Sequence, residues 1–146
     1  MCHIATGDMT TYTFTIRGNH EDPFGNPIPF QRVIKQQMRY AAARYLAWMK
    51  YVRAVFVSEC EVDSRMVMMA ARDGPPISLA KGQTAGIAIR VFWANETHGD
   101  LDNVLKGILD SLFENDKGIN ALKASCEMAE DRKGRVEITI TINEPI

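Results

Sequence analysis

Apolar side chains recur along this chain with two periods, and the switches between them outline its elements. Residues 11–17 alternate, with Tyr12, Phe14 and Ile16 on one side, which predicts a half-buried strand. Residues 18–29 carry Gly25-Asn26-Pro27 and then Pro29, and read as a loop. A three- and four-residue period follows through Ile34, Met38, Ala41, Tyr45, Met49, Val52 and Phe56, with no Gly or Pro, and predicts a long helix over 31–57. Its aromatic residues, among them Tyr45, Trp48 and Tyr51, are expected to pack rather than to stack on bases. Residues 61–71 read as a strand or the edge of one, and 72–84 as a loop around Gly74-Pro75-Pro76. Ile87, Ile89, Val91 and Trp93 set a strand over 86–94. Leu101, Val104, Leu105, Ile108, Leu109 and Leu112 set a helix over 102–113. Two further alternating runs, 122–128 and 135–143, flank a polar turn and predict an antiparallel hairpin.

This order predicts a single compact α+β domain over 1–146, with a mixed or antiparallel sheet, two main helices and a flexible N-terminus over 1–10. A length of 146 residues suits one domain, and 46% hydrophobic residues with 24% charged argue against disorder. No apolar run reaches the length of a bilayer span, and the first residues lack the basic and apolar regions of a signal peptide. Cys2, Cys60 and Cys126 are far apart and form no CxxC pair. They predict neither a disulfide framework nor a zinc site, and a reducing, cytoplasmic setting.

The net charge of −1 conceals a segregated distribution. Residues 23–58 contain no Asp or Glu but hold Arg32, Lys35, Arg39, Arg44, Lys50 and Arg53, a local charge of +6. Such a segment is either a phosphate-backbone footprint or a solvated helix face balanced by acids elsewhere. In the first case Arg32, Lys35, Arg39 and Arg44 are the candidate phosphate contacts.

The chemistry-bearing run is His98-Gly99-Asp100-Leu101-Asp102-Asn103-Val104-Leu105-Lys106-Gly107-Ile108-Leu109-Asp110, at a strand-to-helix junction. If the backbone is still extended at Leu101, Asp100 and Asp102 point to one side and offer paired carboxylates to a hard divalent cation such as Mg²⁺. Lys106 and Asp110 follow at helical spacing on the face of Asp102. The alternatives are an N-cap aspartate and surface ion pairs four residues apart. A calcium loop of the EF-hand type is excluded, because Leu105 stands where its glycine must be. Asp116 is a possible third acid, but about three helical turns separate it from Asp102. The chain must therefore fold back, or the acid must come from a return strand. His98 reads equally as a metal neighbour or a loop histidine.

The run resembles the signature of the RusA family of Holliday junction resolvases, Asp-x-Asp-Asn-x-x-Lys-x-x-x-Asp-x-Leu. It does so through Asp100, Asp102, Asn103, Lys106, Asp110 and Leu112. Asn115-Asp116-Lys117-Gly118-Ile119 is similar to the acidic turn that follows, with Asn115 in place of its first acid and Gly118 in place of its glutamine. The first strand and Asn26-Pro27-Ile28-Pro29 before a basic helix also resemble the family. The resemblance implies a dimeric, Mg²⁺-dependent endonuclease (Mn²⁺ substituting) that resolves four-way DNA junctions by paired cuts in recombination and repair, often prophage-borne. It implies Asp100, Asp102 and Asp116 as metal ligands and Lys106 as a catalytic cation. On this resemblance Asn103 orients a ligand from behind, Asp110 is structural and pairs with Lys106, and Arg32, Lys35, Arg39 and Arg44 of the basic helix meet the DNA backbone. The alternatives are a catalytically weak junction-binding protein of the same fold, and a Mg²⁺-dependent nuclease acting on flaps or RNA.

Overall fold

A computed structural model describes residues 3–6, 9–31 and 39–145. Its strands are β1 (His3–Thr6), β2 (Met9–Arg17), β3 (Thr84–Trp93), β4 (Ile119–Met128) and β5 (Arg135–Asn143). Its helices are α1 (Arg39–Glu59), α2 (Ser64–Ala71) and α3 (Leu101–Leu112). The strands form one mixed sheet in the order β1-β2-β5-β3-β4. The molecule is a single α+β domain. Among the described residues no helix is long and apolar enough to cross a membrane.

One sheet face carries Tyr12, Phe14 and Ile16 of β2, Val136, Ile138, Ile140 and Ile142 of β5, and Ile87, Ile89, Val91 and Trp93 of β3, all buried. Tyr45, Trp48, Val52 and Phe56 of α1 and Val104, Ile108 and Leu112 of α3 complete this core. Phe56 reaches the rings of Tyr12 and Phe14 at 5.4 and 5.3 Å. The other sheet face is richer in Thr and charge. This is the two-layer solution open to a sheet with one apolar face.

Four expectations change. The β4–β5 hairpin is absent: β4 runs parallel to β3 at the sheet edge, while β5 lies between β2 and β3, antiparallel to both. The deciding factor is burial. β5 buries every second side chain and needs neighbours on both sides, whereas β4 has almost no buried residue. The parallel pair is then closed by α3 as the crossover. Residues 64–71 form α2, not a strand, because the Asp63 side chain accepts from Met66 N at 2.9 Å and caps the first turn. Residues 3–6, expected to be flexible, pair with β2. Gln31, the start expected for the long helix, is not helical, residues 32–38 lie outside the described residues, and α1 continues to Glu59, past the expected end.

Candidate active site

β3 ends at Trp93, and the chain reaches α3 through 94–100. Asn26, on the segment between β2 and α1, holds this connection. Its Oδ1 accepts from Ala94 N at 2.6 Å, and its Nδ2 donates to the carbonyl of Thr97 at 2.9 Å and to Asn95 Oδ1 at 3.1 Å. Pro29 sits so close to Gly99 that a Cβ there would come within 2.8 Å of the ring, so Gly99 is the residue that admits this contact. Phe30 N donates to the Asn103 carbonyl at 3.0 Å and ties the same segment to the first turn of α3.

Asp100 is the N-cap residue of α3, with an extended backbone (φ −73°, ψ 145°), yet its side chain makes no capping hydrogen bond. Leu101 is already helical, so strand-like alternation does not set Asp100 and Asp102 on one side. They meet instead as the N-cap and first-turn acids of one helix end. Both are exposed. Neither carboxylate has a hydrogen-bond or ion-pair partner among the described residues. The partial positive charge of a helix N-terminus stabilises acids there.

Lys106 lies one turn further along α3. Its Nζ is 4.7 Å from the centre of the Phe30 ring and 3.9 Å from Asp110 Oδ2. Both charged groups are about half exposed, so the pair orients Lys106 more than it stabilises the fold. Asn103 contributes its carbonyl to Phe30, which is a positioning role. His98 stacks flat on Trp93 with ring centres 3.9 Å apart, and its Nδ1 lies 2.8 Å from the Gly99 carbonyl.

Asp116 is not part of this group. It follows the far end of α3, a helix of 12 residues and thus about 18 Å long. Gly118, two residues on, accepts from Ala85 N at the start of β3. Asp100 leaves the opposite end of that strand. Among the described residues no three His, Cys, Asp or Glu side chains come together to hold a metal ion. The three-carboxylate set within one chain is therefore not assembled. Asp100 and Asp102 still suit Mg²⁺, which takes one or two protein carboxylates and completes its shell with water and phosphate oxygens.

The basic segment divides in the structure. Arg32 and Lys35 lie outside the described residues, and Arg39 opens α1. Arg44 Nε donates to Glu21 Oε1 at 2.6 Å. It also lines an open cleft of about 400 Å³ with Asn26, Pro29, Thr97, His98 and Gly99, next to Asp100. Arg53 turns inward, donating to the carbonyls of Ser111 at 2.7 Å and Asp73 at 2.9 Å. Burial lowers its pKa from the ordinary arginine value, against the opposing fields of Asp73 and Tyr45. It is a structural residue, not a solvent-facing cation. Tyr45, buried against Gly107 of α3, has no partner for its hydroxyl among the described residues. Burial, then the charge of Asp110, push its pKa well above the usual tyrosine value.

The residue missed in sequence is Asn26 as a clamp. Its one signal is the Asn-Pro step, because its partners lie 68 to 71 positions away. No family model matches the chain, and no curated protein matches it. Among solved structures, the chain is similar to that of a "putative endoribonuclease" from Klebsiella pneumoniae, at 14% identity over 99% of each chain and a TM-score of 0.40. A likeness at that level assigns neither an activity nor a family.

Proposed function

We propose that this protein is a Mg²⁺-dependent endonuclease that acts on branched DNA, with the four-way junction as its substrate, working as a homodimer. One observation carries the reading. Asp100 occupies an N-cap position without capping, so its carboxylate and that of Asp102 remain uncommitted at one helix end, a turn from Lys106. An aspartate that only served the helix would be expected to bond its free N–H groups.

Two uncommitted carboxylates at a helix N-terminus repel a phosphodiester, which would otherwise be welcome there. A bound divalent cation reverses that sign. Asp100 and Asp102 would hold the Mg²⁺, which supplies Lewis-acid stabilisation and a water of lowered pKa. Lys106 places a compact cation where negative charge grows on the phosphoryl oxygens, and Asp110 with the Phe30 ring restrains it. Asn26, Pro29 and Asn103 fix the approach of the loop to the helix. Arg44 faces the backbone entering the neighbouring cleft, where contact with phosphate gives affinity without sequence reading.

A second reading is favoured by the position of Asp116: with a third acid missing from the chain's own site, the protein binds junctions without cutting them. The test is cleavage of a synthetic four-way junction beside linear duplex, flap and structured RNA, with Mg²⁺ and with EDTA. The nuclease reading expects junction cleavage that EDTA stops, that Asp102→Asn and Lys106→Ala abolish, and that leaves binding by Asp102→Asn intact or tighter. Binding without cleavage in every metal supports the second reading. Cleavage of RNA or flaps in preference to junctions refutes the substrate, and normal cutting by Asp102→Asn refutes the site.

A further inference from the structure

β4 is a ten-residue edge strand whose outer backbone edge has no neighbour among the described residues. Edges of this length are usually blunted by Pro, bulges or inward charges. β4 contains no Pro or Gly, its register with β3 is irregular only at its start, where Asn120 is skipped between Ile119 and Ala121, and its only charges are Lys123 and Glu127. Its registers with β3 pair Leu122 with Ile87, Ala124 with Ile89, Cys126 with Val91 and Met128 with Trp93. Those β3 residues face the core, so the β4 stripe lies on the core side of the sheet. The helices do not cover it: Leu122 is 49% and Met128 40% exposed. An uncovered apolar stripe beside an open edge invites another strand.

We propose that the occupant is a second copy of this chain, joined β4 to β4 in antiparallel fashion about a two-fold axis through Ser125, giving a continuous ten-stranded sheet. The charge pattern selects both the partner and the register. In this register Lys123 opposes the partner's Glu127, and Glu127 the partner's Lys123, so one surface complements itself twice, as a two-fold interface requires. Leu122 opposes the partner's Met128 and Ala124 the partner's Cys126, closing the apolar stripe over both copies. The other registers that keep the faces matched set Lys123 or Glu127 against Ser125, or set each against its own copy. Lys123 has no ion-pair partner among the described residues. Glu127 reaches only the exposed Arg90 at 3.5 Å, which leaves its second oxygen open. The proposal gives a surface to the dimer implied by the family resemblance. It is tested by assembly alone, so its failure is distinct from failure of the nuclease reading.

Sedimentation equilibrium tests it with two exposed charge reversals, Lys123→Glu and Glu127→Lys. The native chain is expected to be dimeric at micromolar concentration, and each reversal to weaken the dimer by about tenfold or more. An equimolar mixture of the two variants is expected to recover native affinity as a heterodimer, because both opposed pairs are then of unlike charge. The position of the axis is read separately, by oxidation of chains with Cys2, Cys60 and Cys126 replaced by Ala. Ser125→Cys cross-links to a dimer, and Ala121→Cys, four positions from the axis, does not. A native monomer, a dimer indifferent to both reversals, a mixture that fails to recover, or equal cross-linking at 121 and 125 overturns the proposal.

Discussion

Replacing Asn26 by Ala removes the side chain that links the segment after β2 to the connection leading to Asp100, and the cost can be worked out atom by atom. Ala94 N loses its acceptor at 2.6 Å, and Ala94 is buried. An orphaned buried N–H costs about 1–3 kcal/mol. The bonds to Thr97 and Asn95 end on exposed atoms that water can serve, so they add only about 0.5 kcal/mol between them. The sum is about 1.5–3.5 kcal/mol, or a fall in Tm of about 3–14 °C for a domain near this size. Asn26→Asp separates the contributions. It keeps an acceptor for Ala94 N but turns carboxylate oxygens toward the Thr97 carbonyl and Asn95 Oδ1. Its penalty should therefore shrink as pH falls toward the ordinary aspartate value of about 3.9, where a protonated carboxyl can donate. The assays are thermal and urea unfolding, with Mg²⁺-dependent junction cleavage measured well below Tm. Because the connection carries Asp100, cleavage by Asn26→Ala should fall even where the protein is fully folded. A Tm within about 1 °C of the parent together with unchanged cleavage would refute the clamp.

Tyr45 predicts alkaline lability. Its folded pKa is raised by burial and by Asp110, so above about pH 10 the unfolded chain loses this proton while the folded chain keeps it, and stability falls as pH rises. Tyr45→Phe should flatten the decline between pH 8 and 10.5 in urea titrations, and at neutral pH should cost little, since it removes a buried hydroxyl with no partner among the described residues. An unchanged slope would count against it. If Arg44 meets the DNA backbone, Arg44→Ala weakens junction and duplex binding alike and lowers the slope of log affinity against log salt by about one unit. A slope equal to that of the parent assigns Arg44 to its pair with Glu21 alone.

What could be read in the sequence follows from what periodicity reports. β3, β5 and α3 each bury one face, and their alternation or helical repeat records that burial directly. β4 was legible as a strand because Leu122, Ala124, Cys126 and Met128 alternate. Its neighbour was not, since pairing depends on which strand needs two flanks, and β5 outcompetes proximity in the chain. α2 was misread because a run of Met and Val has no clear period over eight residues, although Asp63-Ser64 at its start was a usable cap signal. Within the site, Asp102, Lys106 and Asp110 share spacing that any helix makes into one stripe. The contribution of Asn26 depends on tertiary contacts with 94–97, for which no local pattern exists.

The sheet order also explains which residues can share the site. β2 ends and β5 begins at the edge where β3 ends, as the pairs Arg17–Arg135 and Phe92–Arg135 show. The segments 18–31 and 94–100 leave the sheet from this one edge, which is why Asn26 meets Ala94 and why Arg44 and Gly99 line one cleft. The α3 crossover carries the chain to the other edge, where Asp116 precedes the start of β4. A parallel neighbour must begin where β3 begins, so no rotamer of Asp116 brings it to Asp100 in the same chain. The expectation is that Asp116→Asn retains cleavage within about threefold of the parent, whereas Asp100→Asn and Asp102→Asn each lose about a thousandfold or more, the scale of losing transition-state charge stabilisation. If Asp116→Asn proves inactive, mixing it with Asp102→Asn chains decides the matter. Restored activity places the Asp116 of one copy in the site of another, which antiparallel β4 pairing permits because it reverses the edges. Inactivity without restoration refutes the separation of Asp116 from the site.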